Sequence, residues 1–383
     1  MLNFELSEEQ VMVKKTARDF ARKEIAPVAR QLDEEERFDP ALVEKMGKLG
    51  FFSLLTSPEY GGTSMGYVAY CTLVAELASV DGSTAATVAA ANSLGIGPIY
   101  YFGSEEQKRT YLPDLCQGKY LSAFGLTEPN AGSDAGGTQT TAKLDGEEWV
   151  VNGSKIFITN GASDLTSVVT VQAVTGTKAD GSPEFSCILV PTSLAGFTRK
   201  KMTGKLMWRS SDTAELYFDN CRVPKENLLG KQGEGFQQML QTLDSGRLAI
   251  AAMGLGGARG AFEEALKYAK ERQQFGKPIC KFQAIAFKLA DMATEVEAAE
   301  NLVYKACWLK DSGRPFEKEA AMAKLYCSEV FGRVATQAVQ IHGGYGLMKE
   351  YPVERFFRDQ KLLEIGEGTS EVQRIVISRA LGC

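Results

Sequence analysis

EEWVVNGSKIFIT (residues 147–159) decides how the chain divides. It is dense in β-branched and aromatic residues and carries Asn152-Gly153, a two-residue turn signal. Read locally, that pair folds EEWVV back onto SKIFIT as a hairpin, and Asp145-Gly146 marks another turn just upstream. Working outward, DLTSVVTVQAV, EFSCILVPT and TAELYFDNCRV look like further strands. Residues from about 123 to 228 therefore read as a β unit, a small barrel or a sandwich.

On both sides of this unit the period becomes helical. Upstream, Ser7 and Gln10 fit a capping box, after which Val13, Ala17, Phe20, Ala21 and Ile25 recur on one face. Pro27 disturbs that pattern. Helices are expected near 41–49, 66–79 and 105–116, with breaks at Pro58–Gly62 and Gly95–Pro98. Downstream, residues 283–310 contain neither Pro nor Gly and stop at Asp311-Ser312-Gly313; further helices are expected over 316–342 and 370–381. The expected fold is α+β and multidomain. It has a helical N-terminal domain over 1–121, a middle β domain, barrel or sandwich, over 122–230 and a C-terminal helical bundle over 231–383.

Composition narrows the chemistry. The 383 residues are 44% hydrophobic and 24% charged with a net charge of −5, which gives no reason to expect nucleic acid or an anionic membrane as partner. No apolar run approaches the roughly 18 to 20 residues that span a bilayer. MLNFELSEEQ lacks the basic and apolar regions of a secretory signal, so a cytoplasmic chain is expected. The eight cysteines (71, 116, 187, 221, 280, 307, 327 and 383) are irregularly spaced and none forms CxxC, which suggests reduced thiols. The one histidine, His342 in QIHGGYG, cannot build a multi-histidine metal centre; a structural or peripheral role is expected, and no metal.

Four segments could carry function. AFGLTEPNAGSD (123–134) is a strand end running into a polar turn whose N–H groups suit phosphate or a carbonyl-rich heterocycle; composition alone favours a surface turn between two domains. GLGGARG (254–260) lacks dinucleotide-loop spacing and reads as close helix packing. In ERQQFGKP (271–278), Arg272 ends a helical run before the Phe275-Gly276 break; it is either a phosphate ligand or a solvated arginine. In LLEIGEGTSEVQRIVISRALG (362–382), Ser370 and Gln373 fit a capping box, so a helix N-terminus faces Gly366-Glu367-Gly368-Thr369. Glu367, between two glycines, is either an uncrowded functional carboxylate or an exposed loop residue.

AFGLTEPNAGSD, GSKIFITNG, ERQQFGKP, KFQAIAFKLADM, AVQIHGGYG and EGTSEVQR follow one another in the order and spacing of one family. Nearly end to end, the sequence resembles the acyl-CoA dehydrogenases, closest to the short-chain, butyryl-type members. The resemblance implies a helical N-terminal domain, a middle β-barrel and a C-terminal four-helix bundle, usually assembled as a homotetramer. It also implies FAD, an acyl-CoA thioester as substrate, an electron-transferring flavoprotein as partner, and a place in β-oxidation.

Carried over by position, Phe124, Leu126, Thr127 and Ser133 would line the flavin, with Phe157, Ile158 and Thr159 over its other portion. Arg272, Phe275 and Gln283 would hold the FAD phosphates and adenine from a neighbouring subunit. Gln340, Gly343, Gly344, Thr369 and Glu371 would make the remaining dinucleotide contacts. Ser133, Asp244, Arg247 and Gly368 match substrate-binding positions.

Most members place the catalytic base in the loop that here reads IGEGTS; isovaleryl-type members place it on the helix that here reads LDSGR. With Gly246 on the helix and Glu367 in the loop, the resemblance makes Glu367 the base. Its backbone N–H and a flavin ribityl hydroxyl would polarise the thioester oxygen. Exclusion of water would raise its pKa from about 4.3 toward neutrality. Short-chain members commonly have Tyr where this chain has Gly366, and IGxGTSEV is an isovaleryl-type pattern. Branched or alicyclic acyl groups are therefore expected alongside short linear ones. ATVAAANSLG (86–95) lacks the arginine that glutaryl-type members use for a distal carboxylate.

Overall fold

The computed structural model describes residues 5–383, so the start of MLNFELSEEQ lies outside the described residues. Seven α-helices come first: α1 (Glu8–Phe20), α2 (Ala26–Glu34), α3 (Pro40–Lys48), α4 (Gly66–Ala78), α5 (Gly82–Ala90), α6 (Gly97–Phe102) and α7 (Glu105–Cys116). Ser7 and Gln10 form the expected reciprocal cap. A π-helical turn over Ala21–Ile25 joins α1 to α2, and Pro27 sits in the first turn of α2, where its missing N–H costs nothing. The Gly95–Pro98 step was expected to break the chain and does not. A π-helix over Ala91–Ile96 carries α5 into α6, with Pro98 again in a first turn.

The β unit holds β1 (Leu121–Gly125), β2 (Thr141–Asp145), β3 (Glu148–Thr159), β4 (Thr166–Thr177), β5 (Pro183–Pro191), β6 (Phe197–Lys201), β7 (Thr213–Pro224) and β8 (Leu228–Leu229). They form one sheet in the order β6-β7-β3-β2-β4-β5-β8, with β1 parallel to β4. The sheet curls round a core of its own that includes Trp149, Val151, Val169, Val171, Ile188, Leu216 and Phe218.

Asp145-Gly146 does turn, with Asp145 paired to Glu148 and Gly146 at φ +63°. Asn152-Gly153 does not. EEWVV and SKIFIT are halves of one strand because both pair with β7, and the Asn-Gly pair makes a bulge between them. Gly153 (φ +143°) passes so close to Thr140 that a Cβ would lie 2.7 Å from its Cα, and Asn152 Oδ1 accepts the Asn220 N–H at 2.8 Å. A turn signal read along one segment gave way to the partner strand.

The remaining elements are α8 (Gly235–Glu271), a two-residue-strand hairpin of β9 (Gln273–Gln274) and β10 (Lys277–Pro278), then α9 (Gln283–Asp311), α10 (Glu317–His342), α11 (Val353–Leu363) and α12 (Ser370–Ala380). They share a second core with the N-terminal helices, so the two helical units pack as one body against the barrel. The glycines of GLGGARG make that packing possible. A Cβ on Gly254 would sit 2.9 Å from the Cys327 backbone, and those on Gly256 and Gly260 would collide with the Ala75 and Ser79 carbonyls of the α4 region. No described helix is long and apolar enough to cross a membrane.

Candidate active site

The loop between α11 and α12 is a left-handed turn, with Glu367 at φ +53° and Gly368 at φ +90°. Glu367 bears a Cβ and so holds this conformation at a cost of about 1–3 kcal/mol, which the surroundings must over-determine. They do so through the carbonyls. Lys324 Nζ on α10 donates to Gly368 O at 2.7 Å; Gln373 Nε2 on α12 donates to Gly368 O at 2.8 Å and Glu367 O at 3.3 Å. Ser370 N–H donates to Glu364 O at 2.9 Å, which closes the turn.

This corrects the expected cap. Thr369, not Ser370, caps α12, its Oγ1 accepting the Val372 N–H, and Gln373 turns back to the loop instead of completing a box with Ser370. The helix begins one residue earlier than the motif suggested, and the buried carbonyls take the amide that a capping box would have used.

The turn throws the Glu367 carboxylate against α8 at Gly246. A Cβ on Gly246 would overlap Glu367 Oε2, and it would lie 3.3 Å from Leu94 Cδ2. The carboxylate therefore fills the space that a side chain at 246 would take. Its Oε2 is buried and accepts no hydrogen bond from the protein. Burial pushes the Glu367 carboxyl up to about 7, against the opposing pull of the Lys324 and Arg247 cations. Next to Gly246 on α8, Arg247 pairs with Asp244 and keeps a buried Nε without a partner.

A second group of the expected residues meets on the barrel. Phe124, Leu126 and Thr127 run from β1 toward β3, where Ile156 N–H donates to Thr127 O at 2.9 Å. Beside it Lys155, fully buried, reaches Leu126 O at 3.1 Å and Glu128 Oε1 at 2.7 Å. Two motifs 30 residues apart in the sequence thus form one wall. Phe157 stands out from it at φ +60° and 63% exposed, whereas the Ile158 side chain packs in the barrel core and leaves only backbone groups to the surface. Thr159 is half-buried, opposite Thr213. The Asp212 carboxylate holds the following turn through the Ala162 and Ser163 N–H groups at 2.9 and 2.7 Å. Ser133 is exposed in the turn after β1.

The third group lies at the far end of α8. Arg272 stacks its guanidinium 5.6 Å from the Tyr345 ring centroid and borders a hollow of about 540 Å³ with Tyr268, His342, Gly343 and Gly344. His342 is structural on its Nδ1 side, which contacts Ala338 O, and its ring stacks 4.2 Å from Tyr268; its buried Nε2 has no partner. Gly343 and Gly344 present open backbone, since a Cβ on either would touch nothing within 4 Å. Phe275, Gln283 and Gln340 are exposed, and Glu371 is in the first turn of α12. Twenty-five residues of α8 and its cap separate Arg272 from Arg247, roughly 37 Å at helical rise. Within one chain the α8–α10 end is remote from Glu367, whereas Glu371 follows Glu367 closely in the chain.

Lys324, Lys155, Asp212 and Leu94 escaped the sequence reading, and Gln373 entered it only as half of a capping box. Lys324 alone left a signal: its helical neighbours at i±3 and i±4 (Ala320, Ala321, Cys327, Ser328) are small and all prove buried, so a cation among them is out of place. A larger hollow of about 970 Å³ is lined by charged residues such as Lys288, Glu295 and Arg333 of α9 and α10, and Glu367 is not among its lining residues.

The donor set suits a flavin dinucleotide. The barrel wall offers an exposed aromatic ring and backbone groups to a flat heterocycle. The α8–α10 hollow offers an arginine, an unpartnered imidazole nitrogen and glycine backbone to the anionic end.

Comparison with known proteins agrees. The acyl-CoA dehydrogenase N-terminal, middle and C-terminal domain families match residues 7–119, 123–221 and 233–382. A probable acyl-CoA dehydrogenase of Bacillus subtilis is 53% identical over 99% of this chain and 100% of its own. The butyryl-CoA dehydrogenase structure from Megasphaera elsdenii superposes with a TM-score of 0.96 at 44% identity, covering 100% of both chains. A chain from a structure described as the electron transferring flavoprotein of Acidaminococcus fermentans gives 0.96 at 48% identity over 99% of both. An acyl-CoA dehydrogenase complexed with FAD from Bacillus anthracis gives 0.93 at 35% identity over 100% of this chain and 68% of that one. The chain belongs to the acyl-CoA dehydrogenase family and is an FAD-dependent oxidoreductase acting on acyl-CoA.

Proposed function

We propose that the protein oxidises a short acyl-CoA thioester between Cα and Cβ to the 2-enoyl-CoA, with Glu367 as the base that removes the α-proton. The observation that carries this reading is the buried, unpartnered Oε2 of Glu367, held over Gly246 by a turn the protein works to maintain. A carboxylate in water is too weak a base for the α-hydrogen of a thioester; one pushed up to about 7 is matched to a proton transfer near neutrality. Because the reactive form is the carboxylate, the rate rises with pH through that value.

The chain's residues divide the remaining work. None of the backbone bonds of the turn (Ile365 and Gly366 N–H to Leu362 O, Ser370 N–H to Glu364 O) uses the Glu367 N–H, which is left to polarise the thioester oxygen. Asp244, Arg247, Gly368 and Ser133 bind the thioester and its CoA. Phe124, Leu126, Thr127, Ser133, Phe157, Thr159 and the Ile158 backbone hold the isoalloxazine, and Thr369 and Glu371 make further contacts to the dinucleotide. Bound FAD supplies the two-electron acceptor for the hydride leaving Cβ. Arg272, Phe275, Gln283, Gln340, Gly343 and Gly344 serve the dinucleotide of a neighbouring subunit in a homotetramer, which their distance from Glu367 favours. An electron-transferring flavoprotein in the cytoplasm then takes the electrons onward.

The acyl group follows from Gly366. The atoms nearest a Cβ there all belong to Leu362, none closer than 3.4 Å, so the position is not filled tightly by the protein, and Gly366 leaves out the aromatic ring that would stand there. Branched or alicyclic acyl groups fit that space alongside linear ones. Anaerobic mixing of the FAD-loaded protein with butyryl-, isovaleryl- and cyclohexanecarbonyl-CoA tests both parts. Bleaching of the flavin is expected with all three in the wild type. Glu367→Gln should keep FAD and bind the thioesters but bleach about 10³-fold more slowly or worse. Rapid bleaching by that variant refutes the base, and a response to butyryl-CoA alone refutes the open pocket.

A further inference from the structure

Lys324 is fully buried, and a buried ammonium is costly unless it is paired. Its one hydrogen bond is to the carbonyl of Gly368, the residue after the base, at 2.7 Å. Its own helix is tied to the far side of the same loop, because Ser328 Oγ contacts both Lys324 O and Leu363 O, at 2.7 and 2.9 Å. α10 thus grips the loop on both flanks of Glu367. A neutral donor would do for the carbonyl alone, and Gln373 already supplies one at 2.8 Å. The charge needs another reason.

We propose that Lys324 is a positioning residue of the dehydrogenation: its ammonium pins the left-handed Glu367–Gly368 turn and supplies the cation that keeps the base ionised in its dry site. The inference rests on Glu367 being the base. The charged groups facing the two residues come from every packed element. Glu367 feels Lys324 from α10 and Arg247 from α8, and the Tyr70 phenol of α4 feels Glu367. Lys324 itself is influenced by Glu367, Arg247, Glu364 and Glu371. Arg247 shares its charge with Asp244, whereas Lys324 makes no ion pair among the described residues and bonds only the Gly368 carbonyl. Burial lowers the lysine to about 8, so at neutral pH it is still mainly protonated. Loss of that cation leaves the carboxyl harder to ionise, and the carboxylate-dependent limb of the rate moves to higher pH.

The test is the pH dependence of anaerobic flavin reduction by butyryl-CoA in FAD-loaded wild type, Lys324→Met and Lys324→Arg. It is paired with an infrared titration of the Glu367 carboxyl band in the same FAD-loaded proteins, assigned by difference from Glu367→Gln. Lys324→Met is expected to raise both midpoints by about one pH unit and to lower the plateau rate about tenfold; Lys324→Arg should restore the midpoints. A merely structural lysine would lower stability or FAD content and leave both midpoints in place, and that result overturns the proposal. If Lys324→Met does not fold, Lys324→Gln, which keeps a donor without the charge, carries the same comparison with the same two outcomes. Glu367→Gln run in parallel keeps the two readings apart. Bleaching by that variant refutes the base itself, whereas a silent Glu367→Gln with unmoved lysine variants refutes only the role of Lys324.

Discussion

Two residue pairs share a backbone and almost nothing else. Glu367-Gly368 (φ +53° and +90°) and Phe275-Gly276 (φ +51° and +77°) are both left-handed turns with glycine second, each next to a long helix. The first is gripped by Lys324 and Gln373 and turns a carboxylate inward. The second closes the β9–β10 hairpin and holds Phe275 93% exposed, edge-on to Phe282 at 5.9 Å. The same local geometry is complete inside the chain in one place and unfinished in the other. A left-handed turn is a way to aim a side chain; what it is aimed at decides whether the protein or a partner must answer it.

Alanine at the two glycines should separate the pairs most sharply. At Gly368 a Cβ would lie 2.8 Å from Gln373 Nε2 and 3.2 Å from Val372, besides the strain of its φ. Gly368→Ala is expected to shift the base and cost about 10- to 100-fold in flavin reduction. At Gly276 nothing lies within 4 Å, so Gly276→Ala meets only the backbone penalty, about 1 kcal/mol by thermal denaturation, with the rate unchanged. Equal losses of activity in the two variants would mean that the clamps on the base loop do not matter.

Phe275→Ala gives a smaller effect and asks what the exposed turn is for. Stability to urea should move by less than about 0.5 kcal/mol, because the ring leaves water and enters water. Self-association and retention of FAD on dilution should both weaken. An unchanged sedimentation profile with full FAD content would remove Phe275 from any subunit interface.

How far these features could be read beforehand depended on whether their cause was local. The Ser7–Gln10 cap and the Asp145-Gly146 turn involve near neighbours in sequence, and both form as read. Asn152-Gly153 carries the same kind of signal, but its outcome was set by β7, almost 70 residues away, so the turn became a bulge. Gly95–Pro98 reads as a breaker only if helices have one pitch; a π-helix absorbs the step. In the site, Glu367 between two glycines could be picked out, and so could Gly246. That the two positions meet at one point could not, since it depends on how α8 packs under the α11–α12 loop. Lys324 shows the same limit: a lysine in a helix reads as solvated until the face it stands on is seen to be buried.

That meeting point gives the most direct test of the account. If what matters is a carboxylate at that place, it should work from either element. Glu367→Gly, which fits the left-handed turn without strain, is expected to lose about 10³-fold or more in anaerobic flavin reduction by butyryl-CoA. Adding Gly246→Glu, so that the carboxylate reaches the same space from α8, should recover the rate at least about tenfold above the single variant. A double variant that binds FAD and butyryl-CoA yet reduces no faster than Glu367→Gly would contradict the claim that the base acts from that point.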